Sequence, residues 1–120
     1  MQKTLTHLDE QVQQSIGTLL SKLESEMGEQ LLSVFLFGSR ARNDADSDSD
    51  IDLVVLLKET TPEIKKRVRY LAADVWLEHG LHISTRVWSL AHWQRLEELQ
   101  TGLYRNIQRE GIEVTSALAE

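Results

Sequence analysis

Two short runs, each apolar but for one residue, constrain the fold of this chain more than any other feature: Leu31 to Phe37, broken only by Ser33, and Ile51 to Leu57, broken only by Asp52. Each is too short for a buried helix and fits a strand buried on both faces. A polar segment opening on Gly38 joins them, and strands joined by a connection that short are expected to be sheet neighbours. Leu5, Leu8, Val12, Ile16, Leu19, Leu23 and Met27 recur at helical spacing, which predicts a long amphipathic helix ending near Gly28. Thr61 before Pro62 has the form of a helix start, and Ile64, Val68, Leu71 and Val75 carry that helix to about Gly80. Leu81–Ser89 alternates Leu81, Ile83, Thr85 and Val87 with His82, Ser84, Arg86 and Trp88, the period of a half-buried strand. Ser89 can cap a helix carrying Leu90, Trp93, Leu96 and Leu99, and a last helix around Leu103–Glu110 closes at Gly111. The order α-β-β-α-β-α predicts an α/β (α+β) fold, a small mixed sheet flanked by helices. At 120 residues this is one domain, expected over 1–114, with a loose tail at 115–120.

Charge is local. The net charge is −6, and all of it falls in residues 1–60, where Asp44, Asp46, Asp48, Asp50 and Asp52 form a ladder. The absence of cysteine excludes disulfides, thiolate zinc sites and a cysteine nucleophile, which fits a reducing compartment, and the cytoplasm is the expected location. The start of the chain lacks the apolar stretch of a signal peptide. The aliphatic run Leu53 to Leu57 is far below the roughly 20 residues that span a bilayer, so no membrane partner is expected.

The segment Gly38-Ser39-Arg40-Ala41-Arg42-Asn43-Asp44 and the aspartates after it carry the candidate chemistry. A glycine lets backbone approach a phosphate, and a following serine offers a hydroxyl and an amide donor to the anion. Asp50 and Asp52, two apart at the head of a strand, share a face with Cα atoms roughly 6.5 Å apart, close enough to converge on one or two divalent ions. One half of the segment suits a triphosphate and the other the Mg²⁺ that a triphosphate carries.

Gly38-Ser39, ten intervening residues, then Asp50-x-Asp52 resembles the GSx₁₀DxD signature of the polymerase-β-like nucleotidyltransferase superfamily. FGSRAR followed by SDIDLVV resembles its minimal, single-domain (MNT) branch, and the likeness extends to the closing Tyr104-Arg-Asn-Ile-Gln-Arg-Glu-Gly-Ile. The resemblance implies a palm-like nucleotidyltransferase fold. It implies ATP or another NTP as substrate with Mg²⁺ as cofactor, Asp50 and Asp52 as catalytic metal ligands, and Gly38, Ser39, Arg40 and Arg42 toward the nucleotide. It implies AMP transfer to a hydroxyl of a partner protein, in the manner of antitoxins paired with an all-helical HEPN ribonuclease toxin. Two departures stand out. Asn43 replaces a usual glycine and tolerates the same turn. The family's third carboxylate, a ligand and base on the later strand, is missing from Leu81–Ser89, which predicts slow turnover or a module that neutralises its HEPN partner by contact alone.

Other features carry weaker readings. Asp48, Asp50, Asp52 and Glu59 fit an EF-hand frame, but its glycine position is Leu53 and a buried strand follows. Asp44, Asp46 and Asp48 read as a solvated loop. Arg40 and Arg42 suit either phosphates or solvent. Lys65-Lys66-Arg67 and Arg69 read as a solvated helix face ahead of a nucleic-acid patch, so nucleic acid is not expected as a direct partner. His79 and His82 have no carboxylate or thiol within sequence reach, which argues against zinc. Trp76, Trp88 and Trp93 are expected mainly in the core, with room for one at a partner interface.

Overall fold

The computed structural model describes residues 10–42, 45, 46 and 49–117, without the side chains of 116 and 117. Leu5, Leu8, Asn43, Asp44, Asp48 and the last three residues of the expected tail lie outside the described residues. The elements run α1 (Glu10–Met27), a 3₁₀ turn (Gly28–Gln30), β1 (Leu31–Phe37), α2 (Ser39–Arg42), β2 (Ile51–Leu57) and α3 (Pro62–His79). They continue with β3 (Ile83–Ser89), α4 (Leu90–Leu99), α5 (Gly102–Glu110), β4 (Ile112–Glu113) and α6 (Val114–Ala117). The expected tail therefore begins with a helical turn, and Thr115 Oγ1 donates to Glu113 Oε1 at 3.1 Å.

The four strands form one mixed sheet in the order β3-β2-β1-β4. β1 pairs antiparallel with both β2 and β4, while β2 and β3 pair in parallel across the α3 crossover. Alternation along the strands gives the sheet two different faces. On one, Val34, Leu36, Leu53, Val55, Leu57, Ile83 and Val87 pack with Val12, Ile16, Leu19 and Leu23 of α1 and Val68, Leu71 and Val75 of α3. Helix caps follow the sequence: Thr61 Oγ1 accepts the Ile64 N–H and Ser89 Oγ accepts the His92 N–H. Thr101 caps α5 in the same way. α1 and α3 run antiparallel. The Gln11 side chain donates to the His79 carbonyl at one end, and Arg67 Nε donates to Glu26 Oε2 at the other.

Among the described residues the second face is covered at one end only. Trp93 of α4 stacks on Phe35 at 5.6 Å between ring centroids, and lies 6.1 Å from Trp88 and 4.9 Å from Tyr104. Tyr104 joins the roof helices by donating to Glu97 while accepting from Gln108. The tryptophans thus depart from the expected core. Trp88 and Trp93 are half-buried in this aromatic roof, and Trp76 stands 43% exposed on the outside of α3. The reason is geometric: α4 and α5 are too short to roof the whole face, and the aliphatic core between α1, α3 and the sheet is filled without any indole. Leu99, expected on the apolar side of α4, is 66% exposed.

Urea denaturation of Thr61→Ala should show a loss of about 1 kcal/mol from the missing cap. Leu53→Ala should cost about 2–5 kcal/mol by leaving a cavity under α1 and α3.

Candidate active site

The end of the second sheet face that no described residue roofs holds Asp52, one of the predicted residues. Phe37 of β1 stands opposite Asp52 of β2, and Asp52 opposite Ser84 of β3, so the three side chains share that face. Arg86 follows two residues along β3, its guanidinium 6.0 Å from the centre of the Phe37 ring.

Gly38 is built for this place. Its φ is +77°, in the left-handed region. A Cβ built on it would lie 2.6 Å from Asp52 Oδ2, so the Asp52 carboxylate already fills the space a side chain at 38 would need. Immediately after it, α2 makes a single turn closed by the Arg42 N–H on the Gly38 carbonyl. Ala41 pins that turn into the core, and Ser39 is half-buried beside Gly38. Arg40 neither faces solvent nor reaches out: it is 6% exposed, and its Nε and Nη2 both donate to the Ser49 carbonyl at 3.1 and 2.7 Å. The physical cause is the return of the chain to β2, which brings a backbone acceptor within reach of the buried guanidinium. Arg40 thereby braces the residue preceding Asp50. Arg42 is exposed and lies 3.5 Å from Glu110.

The carboxylates differ in setting. Burial first, and then the neighbouring Asp50 charge, push the Asp52 carboxyl above the usual carboxylate range, against the opposing pull of Arg86, His82 and Arg42. Asp50 is half exposed, with Oδ1 3.2 Å from His82 Nδ1. A carboxylate does reach His82, contrary to the sequence expectation, because the parallel pairing of β2 with β3 sets their first residues side by side. Sequence distance concealed it. His79 is turned elsewhere, with Nε2 3.1 Å from Thr18 Oγ1. Among the described residues no three His, Cys, Asp or Glu side chains converge as a metal cage. Two crowded carboxylates, one of them desolvated, are nevertheless a fitting donor set for Mg²⁺, which is commonly held by one or two carboxylates plus substrate phosphates. Asp46 is exposed and exchanges hydrogen bonds with Ser49. In the basic stretch of α3, Arg67 is committed to Glu26 and Lys66 lies 5.7 Å from the Tyr70 ring centre, while Lys65 and Arg69 line a surface cleft of about 250 Å³.

Residues 18–114 match the nucleotidyltransferase domain family. The chain belongs to that family. It is also 30% identical, over 82 residues covering 68% of it and 76% of the relative, to a Methanocaldococcus jannaschii protein provisionally named a protein adenylyltransferase. A solved structure provisionally named a minimal nucleotidyltransferase matches at TM-score 0.56 and 23% identity, over 92% of this chain and 95% of that one. A toxin–antitoxin structure with AMP-PNP matches at TM-score 0.53 and 20% identity, over 79% of this chain and 68% of that one. The fold is that of the nucleotidyltransferases, as the resemblance at Gly38-Ser39 and Asp50-x-Asp52 implied. Among the described residues, no helix of this nucleotidyltransferase is long and apolar enough to cross a membrane.

Because the folded state raises the Asp52 pKa, ionising this group favours the unfolded chain. The penalty is absent below the ordinary value of 3.8, grows as pH rises past it and is complete above the raised folded value. Asp52→Asn should therefore raise the thermal midpoint at pH 7 without divalent metal, with the gain shrinking toward pH 4. Gly38→Ala should cost about 1 kcal/mol or more, since it meets both a left-handed backbone and the Asp52 carboxylate.

Proposed function

We propose that this nucleotidyltransferase uses Mg²⁺ to transfer AMP from ATP to a hydroxyl of a partner protein. The partner would be an all-helical HEPN toxin, with this chain as its antitoxin, working in the cytoplasm. The observation that carries the reading is that Asp52 Oδ2 lies 2.6 Å from where a Cβ on Gly38 would stand, which supports a carboxylate able to bind metal beside a backbone that a phosphate can approach. The adenylyltransferase name of the curated relative supports AMP as the transferred group, and the AMP-PNP and toxin–antitoxin assembly of the structural relative support nucleotide and partner.

In this reading Gly38 and Ser39 receive the triphosphate, Arg42 adds charge at its rim, and Asp50 and Asp52 hold the metal. Arg40 contributes by bracing the loop. Bound Mg²⁺ supplies charge neutralisation on the phosphates and on the leaving pyrophosphate. The acceptor oxygen forms a bond to the α-phosphorus, the bond from that phosphorus to the α–β bridging oxygen breaks, and the hydroxyl proton passes to solvent. Ser84 stands opposite Asp52, so the position on β3 nearest that carboxylate offers no strong base. The same residue favours a second reading, in which the chain neutralises its partner by contact without transfer.

Intact-mass analysis of the partner after incubation with ATP and Mg²⁺ decides between them. A slow gain of one AMP, lost in Ser39→Ala with Asp50→Asn, is expected; tight complex formation with no adduct at any protein concentration selects the contact reading. Ser84→Asp should speed transfer at least about 10-fold, since general-base assistance is typically worth 10²–10⁴-fold.

A further inference from the structure

His82 has no part in the function proposed above, yet three contacts fix it beside the carboxylates. Gly80 takes a left-handed conformation (φ 82°) at the end of α3, so the chain reverses into β3 within a few residues. The His82 carbonyl then accepts the Ile51 N–H at 3.0 Å, which ties its backbone to the residue between the two aspartates. Its ring meets the Trp76 ring nearly at a right angle, with centroids 4.7 Å apart, and its Nδ1 lies 3.2 Å from Asp50 Oδ1. Asp50 is half exposed and sits before the first residue of β2, outside the sheet. A carboxylate left to rotate must be ordered when an ion binds, at a cost in affinity; one held beforehand by a neighbour avoids that cost.

We propose that His82 is a positioning residue that holds the Asp50 carboxylate in the orientation needed for the divalent ion, with Trp76 setting the ring. This rests on the metal-dependent reading above and adds the residue that immediately precedes β3, the strand where the family's third carboxylate is missing. The imidazole acts through Asp50.

The test is Mn²⁺ binding to the full chain, followed by the electron paramagnetic resonance of the free ion, with and without AMP-PNP. His82→Ala should weaken binding about 10–100-fold, the range typical for loss of a partner to a metal ligand. His82→Asn should restore most of it, because an amide nitrogen can stand near the place of Nδ1, and Trp76→Ala should show a smaller loss. Should His82→Ala fail to fold, His82→Asn set against His82→Leu asks the same question. Wild-type affinity in the Ala or Leu variant overturns the proposal, as does a loss that Asn does not mend. A ¹⁴N coupling to bound Mn²⁺ in spin-echo spectra overturns it in favour of direct ligation by His82. If the wild-type chain binds no Mn²⁺, or binding ignores Asp52→Asn, the metal-dependent function itself fails and the positioning role goes with it.

Discussion

The Asp52 carboxylate occupies the volume that any side chain at residue 38 would need, and the rest of the site is arranged around that contact. It requires glycine at the end of β1, and it requires β1 and β2 to be antiparallel neighbours with Phe37 opposite Asp52. It also requires the connection between them to leave in a left-handed turn. α2 answers the last requirement: Ala41 anchors the turn in the core, and buried Arg40 reaches across to the Ser49 carbonyl, so both ends of the connection are held although the strands alone would not hold them. Arg40 thus ties α2 to the residue that precedes Asp50.

The two faces of the sheet divide labour. The face under α1 and α3 is aliphatic and fully covered, and it supplies the stability. The other face is roofed at one end by an aromatic cluster and, among the described residues, left open at the end where the strands carry Asp52, Ser84 and Arg86. A partly buried carboxylate beside a like charge is less easily ionised in the folded chain, so the Asp52 charge opposes stability.

β3 joins both divisions. Its parallel pairing with β2 sets Ser84 against Asp52 and His82 against the head of the aspartate pair. The absence of an acid from this strand and the histidine just before it are two aspects of one local sequence.

Much of this was legible in the sequence, for physical reasons. Apolar runs bounded by glycine and by aspartate marked β1 and β2. A threonine before a proline marked the start of α3, and Gly38-Ser39 with Asp50-x-Asp52 marked the family and the turn between two strands, because turns and strands each demand particular residues at particular spacings. What the chain could not show by itself was pairing between distant segments. That His82 meets Asp50, that Arg40 spends its guanidinium on a backbone carbonyl, that Arg67 is taken by Glu26 and that the tryptophans roof one end of a sheet or stand exposed all depend on which elements become neighbours. Local sequence fixes periodicity and backbone preference; strand order and helix placement decide which side chains meet, and that was settled only when the chain packed.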